Sequence, residues 1–201
     1  MVIDGLIEGI LDELVVRRVL EYTGHRLGTV FGKRGSIHLL QKMGGFNIKA
    51  QYGTPILALV DFLDTKLSCP PEVLNVWLPN RSQRFVLRVV VNEIESWLLA
   101  DAVSLAKFLG IAANAIPEQV ETLPDPKQVL INLARRSRSK KLREALIPSQ
   151  GSSAVIGPGY NDVMGEFISQ YWNIDVARHY ASSLDRCLAH LTGFTDSIDY
   201  S

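Results

Sequence analysis

Apolar and polar positions follow two rhythms along this chain, and each change of rhythm marks an element. Val2–Ile7 is a short, mostly apolar run punctuated by Gly5 and Gly9, which suits a buried strand leading into a turn. Over Ile10–Tyr22 the apolar residues Leu11, Leu14, Val15, Val19 and Tyr22 recur at steps of three and four before Gly24, so a helix is expected there. A weaker strand at 29–31 runs into Gly32-Lys33-Arg34-Gly35. Ile37, Leu39, Leu40 and Met43 then predict a short helix closed by Gly44-Gly45.

After Pro55 a continuous apolar run at 56–60 has the character of a strand covered on both faces, and it ends at Asp61. A proline-bounded helix is expected at 71–78. A β-branched strand follows at 85–91, interrupted only by Arg88 and ending at Asn92-Glu93. From Ser96 the pattern is helical, with helices predicted at 97–109, 126–137, 139–146, 161–171 and 175–191. Alternating strands and helices followed by a helical half predict an α/β fold: a mainly parallel sheet flanked by helices, with the helical C-terminal half packed on it. The expected organisation is a core over 1–100, a helical extension of the same domain over 101–194 and a disordered tail over 195–201.

Composition narrows the function classes. Acidic and basic residues balance at 21 each, so contact with a polyanion must come from a local patch and not from a global field. Cys69 and Cys187 follow no metal-ligand spacing and fit a reducing compartment. The N-terminus carries Asp4 and Glu8 and lacks the basic start of a signal peptide, and no apolar run approaches the roughly 20 residues of a membrane span. The expectation is a cytoplasmic protein with no membrane partner and an undetermined oligomeric state. No HExxH, P-loop, Gly-x-Gly-x-x-Gly or Gly-x-Ser-x-Gly occurs, which removes support for zinc-protease, common nucleotide-binding and serine-hydrolase chemistry.

Carboxylates fall where strands end. Glu8 follows the first strand, Asp61 and Asp64 the 56–60 strand, and Glu93 and Glu95 the 85–91 strand. Strands of an open parallel sheet share one carboxyl edge, where α/β folds bind ligands. Acids crowded there repel one another unless a hard cation such as magnesium neutralises them. The same acids also fit helix capping, Asp12, Glu13 and Glu95 in particular.

Arg135, Arg136, Arg138, Lys140, Lys141 and Arg143 place six basic residues in nine positions, which suits either a phosphate backbone or a solvated face. Lys33 and Arg34 could turn toward a phosphate or simply form a turn.

Ile7-Glu8-Gly9, the acidic end of the next long strand and Glu93-Ile94-Glu95-Ser96-Trp97-Leu98-Leu99-Ala100-Asp101 together resemble an uncharacterised bacterial family similar to the Toprim domains of topoisomerases, primases and overcoming-lysogenisation-defect nucleases. Gly32-Lys33-Arg34-Gly35, the basic stretch and Gly157-Pro158-Gly159-Tyr160 extend the likeness. The resemblance implies a Toprim/Rossmann-like sheet and a magnesium- or manganese-dependent nuclease or phosphoryl-transfer protein acting on nucleic acid. Glu8 would be the acid/base or a ligand, and Asp61, Asp64, Glu93 and Glu95 candidate metal ligands.

One departure stands out. The family's Asp-x-Asp reads Asp61-Phe62-Leu63-Asp64 here, so both acids can serve one ion only if the chain turns between them. Counted back from Cys69-Pro70, Asp64 is the better match and Phe62 takes its partner's place. The other reading the resemblance supports is a non-catalytic module with a degenerate metal site, acting with a partner ATPase in DNA sensing or phage defence.

Overall fold

The four predicted strands pair in parallel in the order β2-β1-β3-β4 in the computed structural model, which describes residues 1–194. The tail expected at 195–201 lies outside the described residues. The chain divides into two compact units, Met1–Val91 with the segment from Asp185 onward, and Asn92–Leu184.

In the first unit β1 (Val2–Ile7), β2 (Arg26–Gly32), β3 (Ile56–Asp61) and β4 (Phe85–Val90) form the sheet. Their register aligns Gly5 with Leu57 and Val86, and Leu6 with Ala58 and Leu87, so neighbouring rows face opposite sides. Leu6, Ile56, Ala58, Val60, Phe85 and Leu87 pack on Leu39, Met43 and Ala50 of helix α2 (Ser36–Tyr52), with Leu74 and Trp77 of α3 (Pro70–Trp77) against the same cluster. The opposite face meets α1 (Ile10–Tyr22), where a Cβ at Gly5 would stand 3.9 Å from Val16. Coverage on both sides explains why β3 reads as an unbroken apolar run.

The second unit holds α4 (Ile94–Leu99), α5 (Ala102–Leu109), α6 (Pro126–Ala134), α7 (Lys140–Leu146), α8 (Tyr160–Glu166) with a π-helical turn at Phe167–Tyr171, and α9 (Ile174–Ala177). Trp97 and Trp172 anchor its core: Trp97 Nε1 donates to Ser183 Oγ at 2.7 Å, and Trp172 Nε1 to the Trp97 carbonyl at 3.2 Å. The last helix, α10 (Ser182–Thr192), begins in this unit and continues into the first. No helix among the described residues is long and apolar enough to cross a membrane.

Three helices differ from their sequence pattern. Gly44-Gly45 does not close α2, which runs on to Tyr52. A Cβ at either glycine would meet open space, and the buried stripe Leu39, Met43, Ala50 continues past them. The helix expected at 97–109 breaks at Asp101, whose fully buried carboxylate accepts the amides of Ser104 at 3.2 Å and Asn173 at 2.7 Å. The helix expected at 175–191 breaks because Glu121 accepts the amides of Ser182 and Ser183, at 3.0 and 2.8 Å, and starts a new helix from outside.

Candidate active site at the carboxyl edge of the sheet

The strand order reverses between β1 and β3, so the carboxyl ends of these two strands flank the crevice where open α/β sheets bind ligands. Glu8 follows β1 directly and Asp61 closes β3. A 3-10 turn, Phe62–Thr65, then supplies the reversal that the spacing of Asp61 and Asp64 demanded. Thr65 Oγ1 donates to the Phe62 carbonyl at 2.8 Å, and Lys66 ends the turn in the left-handed region at φ 56°. The exposed Asp64 carboxyl is thereby brought close enough to the half-buried Glu8 carboxyl to act on its proton, while the Asp61 backbone acts in the opposite sense.

Glu8 is pushed up to about 8, first by burial and then by the charges of Asp64 and Asp12, with the Asp61 backbone offsetting part of the effect. Its Oε1 is enclosed and has no hydrogen-bond partner among the described residues. Asp12 sits in the first turn of α1, buried, its Oδ2 3.0 Å from where a Cβ at Gly9 would lie. The sequence offered Asp12 only as a helix cap; it also acts on Glu8. Among the described residues, no group of three or more His, Cys, Asp or Glu side chains is arranged to hold a metal ion.

The Gly32-Lys33-Arg34-Gly35 segment lies along this same edge. The Lys33 amide donates to the Ile7 carbonyl at 2.9 Å and the Gly35 amide to the Glu8 carbonyl at 3.3 Å. Gly32 is required there, since at φ +101° a Cβ would fall 2.1 Å from the Ile7 oxygen. Lys33 pairs with Glu13 and holds its carboxyl below the usual range, so that cation is engaged; Arg34 is exposed.

The second unit contains its own acidic cluster. Glu93 is extended, at φ −142° and ψ 162°, while Glu95 lies in the first turn of α4. The change of conformation between them lets both reach the Lys127 ammonium, Glu93 Oε1 at 2.8 Å and Glu95 Oε1 at 3.7 Å. Tyr160 donates its hydroxyl to Glu95 Oε1 at 2.9 Å.

Gly157 and Gly159 deliver that tyrosine by close packing on the end of α7, for a Cβ at Gly157 would lie 2.3 Å from the Ala145 carbonyl oxygen. Burial pushes Glu95 up to about 7 and Lys127 pulls it down; burial and Glu95 push Tyr160 well above its ordinary value. Lys127 was not legible as part of this group, since nothing local distinguishes it from any lysine at a helix start.

The basic stretch divides into engaged and exposed residues. Arg143 donates to the Ser137 carbonyl and Lys140 pairs with Glu144, so both are locally engaged. Arg135 and Lys141 are exposed, and Arg136 and Arg138 line a cavity of about 790 Å³ together with Asn114 and the 110–115 loop. Compared with protein-family models, with curated proteins and with solved structures, the chain has no significant match.

Proposed function

We propose that this chain is a Toprim-like, magnesium-dependent nuclease or related phosphoryl-transfer protein, with Glu8 and Asp64 as its working carboxylates. The observation that carries the reading is the Glu8 carboxyl: it sits at the reversal of strand order with the acids Asp64 and Asp12 acting on it, and its enclosed Oε1 has no hydrogen-bond partner among the described residues. Glu95 Oε2 is enclosed without such a partner as well, but the Lys127 ammonium stands by that carboxyl, whereas acids act on Glu8.

These residues fit magnesium. The ion binds through one or two carboxylates while keeping several waters, and a positive charge there would relieve the mutual repulsion of Glu8, Asp64 and Asp12. When bound, it would polarise a phosphoryl oxygen and lower the pKa of a water, and manganese could replace it. Glu8 and Asp64 would hold it, with Asp61 at the strand end beside them. Glu8 holds its proton near neutrality, within the range where a carboxyl can act as acid or base. Arg34 on the neighbouring loop supplies positive charge for a phosphate backbone, and within the second unit the exposed Arg135, Arg136 and Arg138 offer a basic surface of their own.

The test is calorimetric titration of magnesium and manganese into wild type, Glu8→Gln and Asp64→Asn, with plasmid nicking measured on the same samples. Binding and nicking in wild type that disappear in both variants support the proposal. No binding to wild type at millimolar metal removes it and leaves the partner-ATPase module, a reading favoured by Phe62 standing where the family has an acid.

A further inference from the structure

Two cavities of the second unit share a wall, the 3-10 turn Ala113–Ala115. Asn114 lines both, exposed and with no side-chain hydrogen bond among the described residues. The turn is built locally. Gly110 ends α5 in the left-handed region at φ +68°, and the Ile111 amide donates to the Ala106 carbonyl at 3.0 Å, so the chain leaves the helix sharply. The amides of Ala115 and Ile116 then donate to the carbonyls of Ala112 and Ala113, at 3.0 and 3.1 Å. Gly110, Ala112, Ala113 and Ala115 are small, and their size leaves space on either side of the turn.

On one side the cavity, of about 500 Å³, is walled by Leu99, Val103, Ile116, Pro117, Val176 and Tyr180. Val103 and Tyr180 are exposed, so apolar surface and an aromatic ring stay open to solvent there. Its charged lining residue is Glu118, exposed and with no partner for its carboxylate among the described residues. On the other side the cavity, of about 790 Å³, is lined by Arg136 and Arg138 and by no acid among the described residues. Buried Ser137 between them holds that segment in place. Its amide donates to the Ala134 carbonyl at 3.0 Å and its hydroxyl accepts from the Ser139 amide at 3.1 Å, while both flanking arginines stay exposed. Neither guanidinium has an ion pair or a hydrogen bond among the described residues.

Mostly apolar walls with a few polar groups, in a volume of roughly 300 to 1,000 Å³, are the features of a small-molecule site. A guanidinium fork matches two oxygens of a phosphate at once. An acceptor-only carboxylate takes the N–H of an amino group, and an amide side chain offers a donor and an acceptor to the edge of a base. The ring of Tyr180 offers a stacking face. A ligand filling both cavities across Asn114 therefore has a planar, amino-bearing body at one end and a phosphate at the other. We propose that the paired cavities bind a free nucleotide, its base among Val103, Val176 and Tyr180 with an exocyclic amino group on Glu118, and its phosphate on Arg136 and Arg138. One aromatic ring and two arginines provide for one base and one phosphate group, whereas a strand needs successive stacking platforms. The site uses no residue of the Glu8 cluster and stands whether or not that cluster binds metal.

The test uses the full chain without added metal, as wild type, as the double variant Arg136→Gln/Arg138→Gln and as Glu118→Gln, all at exposed positions that spare the core. Calorimetry follows binding of the nucleoside monophosphates of adenine, cytosine, guanine and uracil, of the matching nucleosides and of inorganic phosphate. The expected result is that an amino-bearing nucleotide binds wild type about tenfold or more tighter than its nucleoside, inorganic phosphate or uridine monophosphate. The double arginine variant loses the gain over the nucleoside, and Glu118→Gln loses the preference over uridine monophosphate. Three results overturn the proposal: no nucleotide binding to wild type at millimolar concentration, nucleotide affinity that the double variant retains in full, or uridine monophosphate bound as tightly as the others. An oligonucleotide that binds about tenfold or more tighter than its own mononucleotide, and loses that margin in the double variant, also overturns it by making a strand the ligand.

Discussion

The two acidic clusters have the same ingredients and opposite solutions. In the second unit Glu93 and Glu95 close on the Lys127 ammonium and Glu95 Oε1 accepts from the Tyr160 hydroxyl, so a counter-charge is supplied from within, although Glu95 Oε2 is enclosed with no hydrogen-bond partner among the described residues. In the first unit Glu8 Oε1 likewise has no donor among the described residues, but the neighbours of Glu8 are the acids Asp64 and Asp12 and not a cation. Burial raises both glutamates, but the charge that next acts on Glu95 lowers it, whereas the charges that next act on Glu8 raise it further. A cluster whose charge is balanced by its own protein serves as structure. One that gathers like charges is poised for a ligand.

The largest expected effect tests the ligand side of this contrast. Glu8→Gln or Asp64→Asn should lower metal-dependent nicking by about a hundredfold or more, while removal of metal with a chelator abolishes it. If both variants nick as wild type does, the edge cluster is not the reacting one.

Lys127→Met sharpens the structural side. It leaves Glu95 buried without its cation and should cost about 3 kcal/mol in urea unfolding. Lys127 lowers the Glu95 pKa, so its loss raises that value beyond about 7, and the deficit relative to wild type should grow as pH rises through and above 7. A deficit independent of pH would show that packing, and not charge, is what Lys127 provides.

Glu8→Gln should in contrast stabilise the metal-free protein. The Glu8 pKa is about 8 folded and 4.5 when unperturbed, so below pH 4.5 both states are protonated and the residue is neutral to stability. As pH rises from 4.5 through 8 the unfolded chain ionises more readily than the folded one, and wild type loses stability that the glutamine variant keeps. Allowing for the solvent that reaches Glu8, the gain should be roughly 1 to 3 kcal/mol at pH 8 and near zero at pH 4. Thermal or urea melts at the two pH values measure it.

The smallest effect belongs to Tyr160→Phe, which removes one donor from Glu95 and should cost about 1 to 2 kcal/mol in urea unfolding with no change in the volume of the core. A neutral substitution would mean that Lys127 alone satisfies the cluster.

Much of the fold was legible because its signals are local. The apolar runs of β1, β3 and β4 and the three-and-four spacing of α1 each lie within a dozen or so residues, and a parallel sheet follows from their alternation with helices. Reading failed where a distant side chain decided an element. Asp101 ends α4 by binding Asn173, 72 residues away, and Glu121 starts α10 at Ser182, 61 residues away. Gly44-Gly45 misled for the converse reason, since a glycine stops a helix only where the backbone must leave the helical region, and here the buried stripe of α2 holds it in place.

The sequence by itself determined which residue types end which strands, and hence that Glu8, Asp61 and Asp64 would share one edge, because strand direction and side-chain alternation are properties of the local backbone. Only the tertiary structure decided which acids stay without counter-charge. Whether Asp64 turns back onto Glu8 and whether Lys127 reaches Glu93 and Glu95 are matters of distance across the fold. Charge–charge energy depends on that distance and on burial, and neither is written in the spacing along the chain.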